Sequence, residues 1–234
     1  VQLVTVIDDQ LPQFACPGAI TNNADLGQCS ASFLLPPLAA TDNCGVALVS
    51  SNAPSSFPVG QTLVTWTVVD LNSNTNSCTQ LVVVTDGQLP QFVCPAAITN
   101  NADLGQCEAV FALPPLVATD NCGVASVVSN APPSFPVGIT SVTWSVTDMN
   151  GNTNTCCQLV VIVDDQLPQF ACPAAITNVA DGGQCSATFG LPALSATDNC
   201  GVASVSSNAP VSFPNSCRTR QCSTKRSSTT RSTS

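Results

Sequence analysis

The chain has no histidine, no tyrosine, one methionine (Met149) and no lysine or arginine before Arg218. Each absence closes a class of function. Without histidine, tyrosine or lysine the common general bases and activated nucleophiles are missing, and Glu108 is the one acid that is not an aspartate, so the reading is of a non-enzyme. Paired aspartates can hydrolyse a glycoside, but nothing marks a cleft. A body free of basic residues has nothing with which to hold a phosphate backbone, which excludes nucleic acid as its partner. It also offers trypsin-like proteases no site before Arg218. The longest aliphatic stretch, Leu159 to Val163, falls far short of the roughly 18 apolar residues of a membrane helix, so no membrane span is expected. No cysteine pair has C-x-x-C spacing and no Asn-x-Ser/Thr acceptor occurs, which argues against zinc and common N-glycosylation.

What is abundant is cysteine, fourteen in 234 residues. That usage points to disulfides and an extracellular location, whether secreted, in a matrix, on a cell surface or in a fibre. Charge is segregated: the fourteen acidic residues lie between Asp8 and Asp198, and the five basic ones, Arg218, Arg220, Lys225, Arg226 and Arg231, lie in the tail.

A unit of 78 residues recurs with almost no change. Pro12, Pro90 and Pro168 head the same L-P-Q-F-x-C-P phrase, and the cysteines repeat at one offset: Cys16, Cys29, Cys44 and Cys78; Cys94, Cys107, Cys122 and Cys156; Cys172, Cys185 and Cys200. A fixed period of this size means modules, not one large domain. Val64-Thr65-Trp66-Thr67-Val68 and Val142-Thr143-Trp144-Ser145-Val146 alternate apolar and hydroxyl residues, as a half-buried strand does. Gln80 to Val84 and Gln158 to Val163 are nearly continuous aliphatic runs, as expected of a central strand. Turn signals separate such segments every eight to twelve residues and no helical period appears. The expectation is all-β, with tandem disulfide-stapled sandwiches of about seven short strands.

The motifs resemble those of the HYR (hyalin repeat) module, an immunoglobulin-like extracellular domain. The resemblance rests on the Cys-Pro opening, Gly27-Gln28-Cys29, Thr41 to Cys44 (Thr-Asp-Asn-Cys), Phe57 to Gly60 (Phe-Pro-Val-Gly), and Asp148-Met149-Asn150-Gly151-Asn152, which the first unit varies as Asp70-Leu71-Asn72-Ser73-Asn74. It covers two full units and the third as far as Pro214. What it implies is adhesion or matrix structure, with no catalytic residues to carry over. An immunoglobulin-like path would place Cys16 beside Cys78 and Cys94 beside Cys156, leaving Cys29 for Cys44, Cys107 for Cys122 and Cys185 for Cys200. Four cysteines allow three connectivities, and the return path from Cys29 to Cys44 is long, so the second set stays open.

The domain reading is residues 1–8 as an orphan last strand, 9–86 and 87–164 as full repeats, 165–214 as an incomplete third, and 215–234 as a basic Ser/Thr-rich tail expected to be disordered. Val1 to Asp8 matches Thr79 to Asp86 at the 78-residue offset. Two readings follow: a stretch of a longer array, or a subunit whose Val1, Leu3, Val4 and Val6 complete the third repeat of a neighbouring copy, building a head-to-tail filament. Cys217 and Cys222 are candidate partners for Cys172 and Cys157.

Two places offer calcium oxygens. One is the Asp-x-Asn-x-Asn run, Asp70, Asn72, Asn74 and Asp148, Asn150, Asn152, which lacks the closing glutamate of an EF-hand and reads first as an Asn-rich hairpin turn. The other is the inter-unit hinge, where Asp8, Asp9, Asp86, Asp164 and Asp165 could share a cation with a neighbouring loop. Asp42, Asp120 and Asp198 are read as Asx turns. The functional expectation is a structural or adhesive repeat protein that self-associates head to tail. Its alternative is a calcium-dependent array binding a carbohydrate or receptor, at the cell surface or in the matrix, within a larger secreted protein.

Overall fold

A computed structural model describes residues 1–214, and Cys217, Cys222 and the tail lie outside the described residues. Every regular element described is a strand. The first repeat contains β1 (Gln13–Phe14), β2 (Ile20–Asn23), β3 (Ser30–Ala31), β4 (Ala40–Thr41), β5 (Val46–Ser51), β6 (Phe57–Pro58), β7 (Gly60–Asp70) and β8 (Thr75–Thr85). That is eight segments where about seven were expected, because four are only two residues long. The long pair carries the fold. In β7 the alternation seen in the sequence places Val64, Trp66, Val68 and Asp70 inward, and in β8 it buries Gln80, Val82 and Val84.

One layer is a four-stranded sheet ordered β2-β8-β7-β5, with β2 parallel to β8 (Ile20 opposite Val82) and β7 antiparallel to β8 (Val69 opposite Thr75). The other layer is two short ladders, β1 with β4 and β3 with β6. Between them lies a core of Ala31, Phe57, Val64, Trp66, Val82 and Val84, edged by Phe33, which stacks on Phe57 at 4.8 Å. Trp66 donates its indole N–H to Gln80 Oε1 at 2.9 Å, and Gln80 Nε2 donates to the Gly18 carbonyl at 2.8 Å. The buried glutamine thus satisfies both its own amide and the indole. A valine-rich core of this size is meagre, which makes covalent staples physically useful.

The β7–β8 hairpin turns through Asp70 to Asn74, where Ser73 takes φ 75°; the same turn in the second repeat has Gly151 at φ 92°. The departure from the motif in the first repeat therefore carries a side chain in the left-handed region.

The second repeat follows the same plan. Its Ile98–Asn101 strand runs parallel to Thr153–Val163, and Val124–Ser129 runs antiparallel to Gly138–Asp148. In the third repeat the described residues form only the short-ladder layer: Gln169–Phe170 pairs with Ala196–Thr197, and Ser186–Ala187 with Phe213–Pro214. Ile176, Val205 and Val211 stay exposed there. Val1 to Asp8 pairs with nothing regular, leaving Val4 at 74% and Val6 at 91% exposure.

Two compact units emerge, and their limits ignore the 78-residue period. One comprises Val1–Pro95, Pro114–Asn130 and Thr143–Cys157; the other comprises Ala96–Leu113, Ala131–Val142 and the described residues from Gln158. The first unit therefore holds a whole repeat together with one pole of the next.

The disulfides explain this grouping. Cys16 is bonded to Cys78 and Cys94 to Cys156, within repeats. The expected pairs Cys29–Cys44, Cys107–Cys122 and Cys185–Cys200 do not form. Cys29 is bonded to Cys122 and Cys107 to Cys200, each across 93 residues, while Cys44 and Cys185 are free and exposed. The reason is polar separation. The loop holding Cys29 is fixed against the hinge that follows the repeat, with Gly27 N–H donating to Gln88 Oε1 at 2.8 Å and Gln88 Nε2 to the Asp25 carbonyl at 3.1 Å. Cys44 sits at the other pole beside Asp8, to which Asn43 Nδ2 donates at 3.2 Å. A 29-type cysteine therefore meets the 44-type cysteine of the next repeat.

Candidate metal centre

At the pole that carries the 44-type cysteine, three aspartates converge in each full repeat. Asp8, Asp42 and Asp70 form one cluster and Asp86, Asp120 and Asp148 the other, with one carboxylate oxygen from each residue lying within 4.8 Å of the others. Separate features of the chain supply them: the hinge before β1, the Asp-Asn-Cys corner after β4, and the end of β7.

In each cluster one carboxylate is held through both oxygens, and the other two are held through one and left open on the other. Asp70 Oδ1 accepts the N–H groups of Asn72 and Asn74, both at 2.8 Å, and its Oδ2 accepts Asn74 Nδ2 at 2.7 Å. Asp42 Oδ2 accepts the Cys44 N–H at 2.8 Å. Asp8 Oδ1 accepts the Gln10 N–H and Asn43 Nδ2, both at 3.2 Å. What remains is Asp8 Oδ2 and Asp42 Oδ1, both buried and without a hydrogen-bond partner, and their counterparts Asp86 Oδ2 and Asp120 Oδ1 are in the same condition. Buried carboxylate oxygens without a donor are costly, and no Lys, Arg or His precedes Arg218 to neutralise them.

One carboxyl of each cluster is held below its ordinary value. Burial pushes the Asp148 carboxyl upward, but the Asn152 side chain and the N–H groups of Asn152, Asn150 and Gly151 outweigh it and leave the group below its ordinary value. The Asn43 amide and then the Gln10 N–H hold Asp8 low against a smaller effect of burial. Beside them the Cys44 thiol is pushed up, first by the adjacent Asp8 carboxylate, then by burial and the charges of Asp8, Asp42 and Asp70.

Three convergent carboxylates with inward oxygens suit a hard cation of the calcium or magnesium type. The Asp-x-Asn-x-Asn run contributes differently from a ladder of ligands. Asn74 directs its amide nitrogen to Asp70 Oδ2 and, at 3.2 Å, to the Asp8 carbonyl; Asn152 does the same toward Asp148 and Asp86. The asparagines thus lock one carboxylate in place while the other two come from elsewhere. Asp42 and Asp120 do make Asx turns, yet each uses only one oxygen for that, and the second oxygen was the overlooked signal. In the third repeat Asp164 Oδ1 accepts Asn199 Nδ2 at 3.2 Å and Asp198 Oδ2 is buried and unpartnered. The position matching Asp148 there is Arg226, outside the described residues. Asp9 and Asp165 join no cluster; Asp165 Oδ2 instead accepts Asn101 Nδ2 at 2.6 Å.

The junction repeats its hydrogen bonds as well as its bridge. Asn121 Nδ2 donates to the Gln28 carbonyl at 2.9 Å and Asn199 Nδ2 to the Gln106 carbonyl at 2.7 Å, each one residue from a bridged cysteine. Acidic cluster, asparagine bond and disulfide are parts of one joint.

The HYR domain model matches residues 7–84 and 85–162. The chain belongs to the HYR domain family. Among curated proteins its HYR repeats are similar to hyalin of Strongylocentrotus purpuratus, 35% identical over 229 residues (91% of this chain, 19% of that protein), and to hyalin of Lytechinus variegatus, 34% identical over 182 residues (73% and 34%). A sushi, von Willebrand factor type A, EGF and pentraxin domain-containing protein 1 of Rattus norvegicus is 29% identical over 171 residues, 69% of this chain and 5% of that one. The chain thus spans at most about a third of these relatives. Among solved structures, the protocadherin GammaB4 extracellular domain aligns at 16% identity and TM-score 0.36, over 70% of this chain and 34% of that one. The fold is all-β, built of tandem immunoglobulin-like HYR repeats with disulfides within and between them, and the location is extracellular.

Proposed function

We propose that this chain is part of a non-catalytic structural and adhesive scaffold, whose repeats are held in register by calcium at Asp86, Asp120 and Asp148 and at Asp8, Asp42 and Asp70. The observation that carries the reading is the pair of buried, unpartnered carboxylate oxygens in each cluster, Asp86 Oδ2 and Asp120 Oδ1 in the second. Asp120 lies two residues from Cys122, which is bridged to the preceding repeat, so a cation bound there would stiffen the joint itself. Carboxylates supply part of the six to eight oxygens calcium takes, and water supplies the rest.

Strand complementation between copies extends the scaffold. Val4 and Val6 are exposed and correspond by the 78-residue offset to Val82 and Val84, buried at 0% and 2% in β8. By that register Gln2, Val4 and Val6 would face a core and Leu3 the outer side. Burying each valine would contribute about 1.5 to 3 kcal/mol.

Thermal unfolding with calcium and with EGTA tests the cation, and sedimentation tests assembly. Calcium should raise the midpoint in wild type, and Asp120→Asn should lose the part of that rise that its own cluster supplies. An unshifted wild-type midpoint would sink the cation reading, and a monomer at every concentration would sink strand complementation.

A further inference from the structure

We infer that the Cys29–Cys122 bridge and the cation cluster of Asp86, Asp120 and Asp148 are energetically coupled, so that reducing the bridge weakens cation binding and a bound cation protects the bridge. The inference rests on the calcium reading above and adds a regulator to that site. What carries it is a loop that supplies no carboxylate to the cluster yet holds two of its three.

This donor loop is residues 25–29 of the first repeat. Asp25 N–H donates to the Ser30 carbonyl at 2.8 Å and Gln28 N–H to the Asp25 carbonyl at 2.9 Å, while Asp25 Oδ2 accepts the Ser32 N–H at 2.9 Å. The loop thus has its own geometry, set within the first repeat. Cys29 ends it and is exposed, within reach of a thiol in solution.

Asp86 reaches the loop through the hinge. Its Oδ1 accepts the Gln88 N–H at 3.1 Å. The Gln88 side chain accepts from Gly27 N–H at 2.8 Å and donates to the Asp25 carbonyl at 3.1 Å, a glutamine clamp that seats the hinge on the loop. Gln166 makes the same clamp with Gly105 and Asp103.

Asp120 reaches the same loop through the acceptor corner, Asp120-Asn121-Cys122. Cys122 is bonded to Cys29, and its N–H donates to Asp120 Oδ2 at 2.8 Å. Asn121 Nδ2 is shared between the two routes, donating to the Gln28 carbonyl at 2.9 Å and to Asp86 Oδ1 at 3.1 Å. These contacts occupy Asp86 Oδ1 and Asp120 Oδ2, and the oxygens they leave over, Asp86 Oδ2 and Asp120 Oδ1, are the buried, unpartnered ones.

Asp148 is held differently. It is 2% exposed and fixed by its own turn, Oδ1 accepting the N–H groups of Asn150 and Asn152 at 2.8 Å and Oδ2 accepting Asn152 Nδ2 at 2.7 Å. Opening the bridge therefore leaves Asp148 in place and removes the covalent attachment of the Asp120 corner, which then hangs on the Asn121–Gln28 hydrogen bond. No Lys or Arg precedes Arg218 to offset the three carboxylates, so mutual repulsion draws a slack corner away from the other two. A cation has to bring it back, and that reorganisation is the coupling. By linkage the same factor appears in the reduction equilibrium of the bridge.

Reduced glutathione supplies the electrons. One glutathione thiolate attacks a sulfur of the bridge and releases the other as a thiolate; a second attacks the mixed disulfide and releases the remaining protein thiolate. Cys29 and Cys122 gain two electrons and two protons, and glutathione disulfide leaves.

The test uses the full chain carrying Asp42→Asn, which disables the first cluster, with calcium alone as the probe. By calorimetry, adding Cys29→Ser/Cys122→Ser should weaken calcium binding about tenfold, within the range usual for coupled sites. With the bridge cysteines retained, calcium should shift the reduction equilibrium of Cys29–Cys122 in a glutathione buffer by the same factor relative to EGTA, read by thiol alkylation and mass spectrometry. Cys16–Cys78 serves as the reference bridge and should shift less. Adding Asp120→Asn should abolish the effect of calcium on Cys29–Cys122. Equal calcium affinity with and without the bridge, or equal protection of both bridges, overturns the coupling alone. A chain with Asp42→Asn that takes up no calcium refutes the cation reading, and the coupling falls with it.

Discussion

Substituting Cys44 separates the two ways of wiring this chain. If Cys44 closed a loop with Cys29, as the sequence suggested, Cys44→Ser would open a loop of about 15 residues and cost about 3 kcal/mol. In the structure Cys44 is an exposed free thiol, so Cys44→Ser should change stability by less than about 0.5 kcal/mol. The paired variant Cys29→Ser/Cys122→Ser removes the bridge that spans 93 residues. For an isolated loop of that length the chain-entropy contribution is about 4.6 kcal/mol. Cys16–Cys78 already shortens the route through the unfolded chain to roughly 57 residues, which lowers the figure to about 4.2 kcal/mol. With a urea dependence of about 2 kcal/mol per molar, the midpoint should fall by about 2 M. Fluorescence is a suitable probe because the two tryptophans, Trp66 and Trp144, lie in different repeats. In dilute wild type their transitions should coincide, and in the paired variant they should come apart, since only the inter-repeat link has been cut. A midpoint lowered by Cys44→Ser, or left unchanged by Cys29→Ser/Cys122→Ser, would refute the wiring.

In calcium at about 100 times its dissociation constant, wild type should gain about 2.7 kcal/mol per occupied cluster, and Asp120→Asn should lose that gain for its own cluster. In EGTA the same variant should be no less stable than wild type, because one of three like charges has gone; a variant equally damaged in both media would mean a purely structural aspartate. Asp8 and Asp148 are held below their ordinary 3.8, so the stability they provide is complete above that unfolded value and is lost as pH falls through the lower folded values. Unfolding measured in EGTA should therefore weaken only below about pH 4 from these groups, and a loss centred near pH 6 would contradict it. Gln80→Leu leaves the Trp66 indole N–H without its acceptor in a site 7% exposed, at a cost of about 1 to 3 kcal/mol by chemical denaturation. Ser73→Gly should stabilise by about 0.5 to 1 kcal/mol, relieving the left-handed backbone at φ 75° less the extra freedom of glycine in the unfolded chain; no gain would mean that Ser73 is unstrained.

The strands were legible because their signal is local. The alternation around Trp66 fixes which residues face inward, and β7 buries Val64, Trp66 and Val68 accordingly. The joint was not legible, for a reason specific to repeats. A periodic sequence identifies contact partners by type and leaves open which copy supplies them, so a contact between residues i and j reads the same as one between i and j+78. Cys29 does pair with a cysteine of the 44 type, but the one at 122. Only the direction of the chain decides this, because the Cys29 loop is carried to the pole where Gln88 stands and Cys44 to the pole of Asp8. The acidic clusters were hidden in the same way. Each draws one aspartate from the hinge and two from loops distant in sequence, so no short motif contains all three.

That wiring also fixes the symmetry of anything built from the joint. Donor loop and acceptor corner are different surfaces, so a contact between them is heterologous and repeats without closing unless the rotation happens to return on itself. A fold stapled only within each repeat would carry no such direction. Here the bridge, the asparagine bond and the glutamine clamp all point the same way at both completed joints, and whatever adds to the chain through them must add in that one orientation.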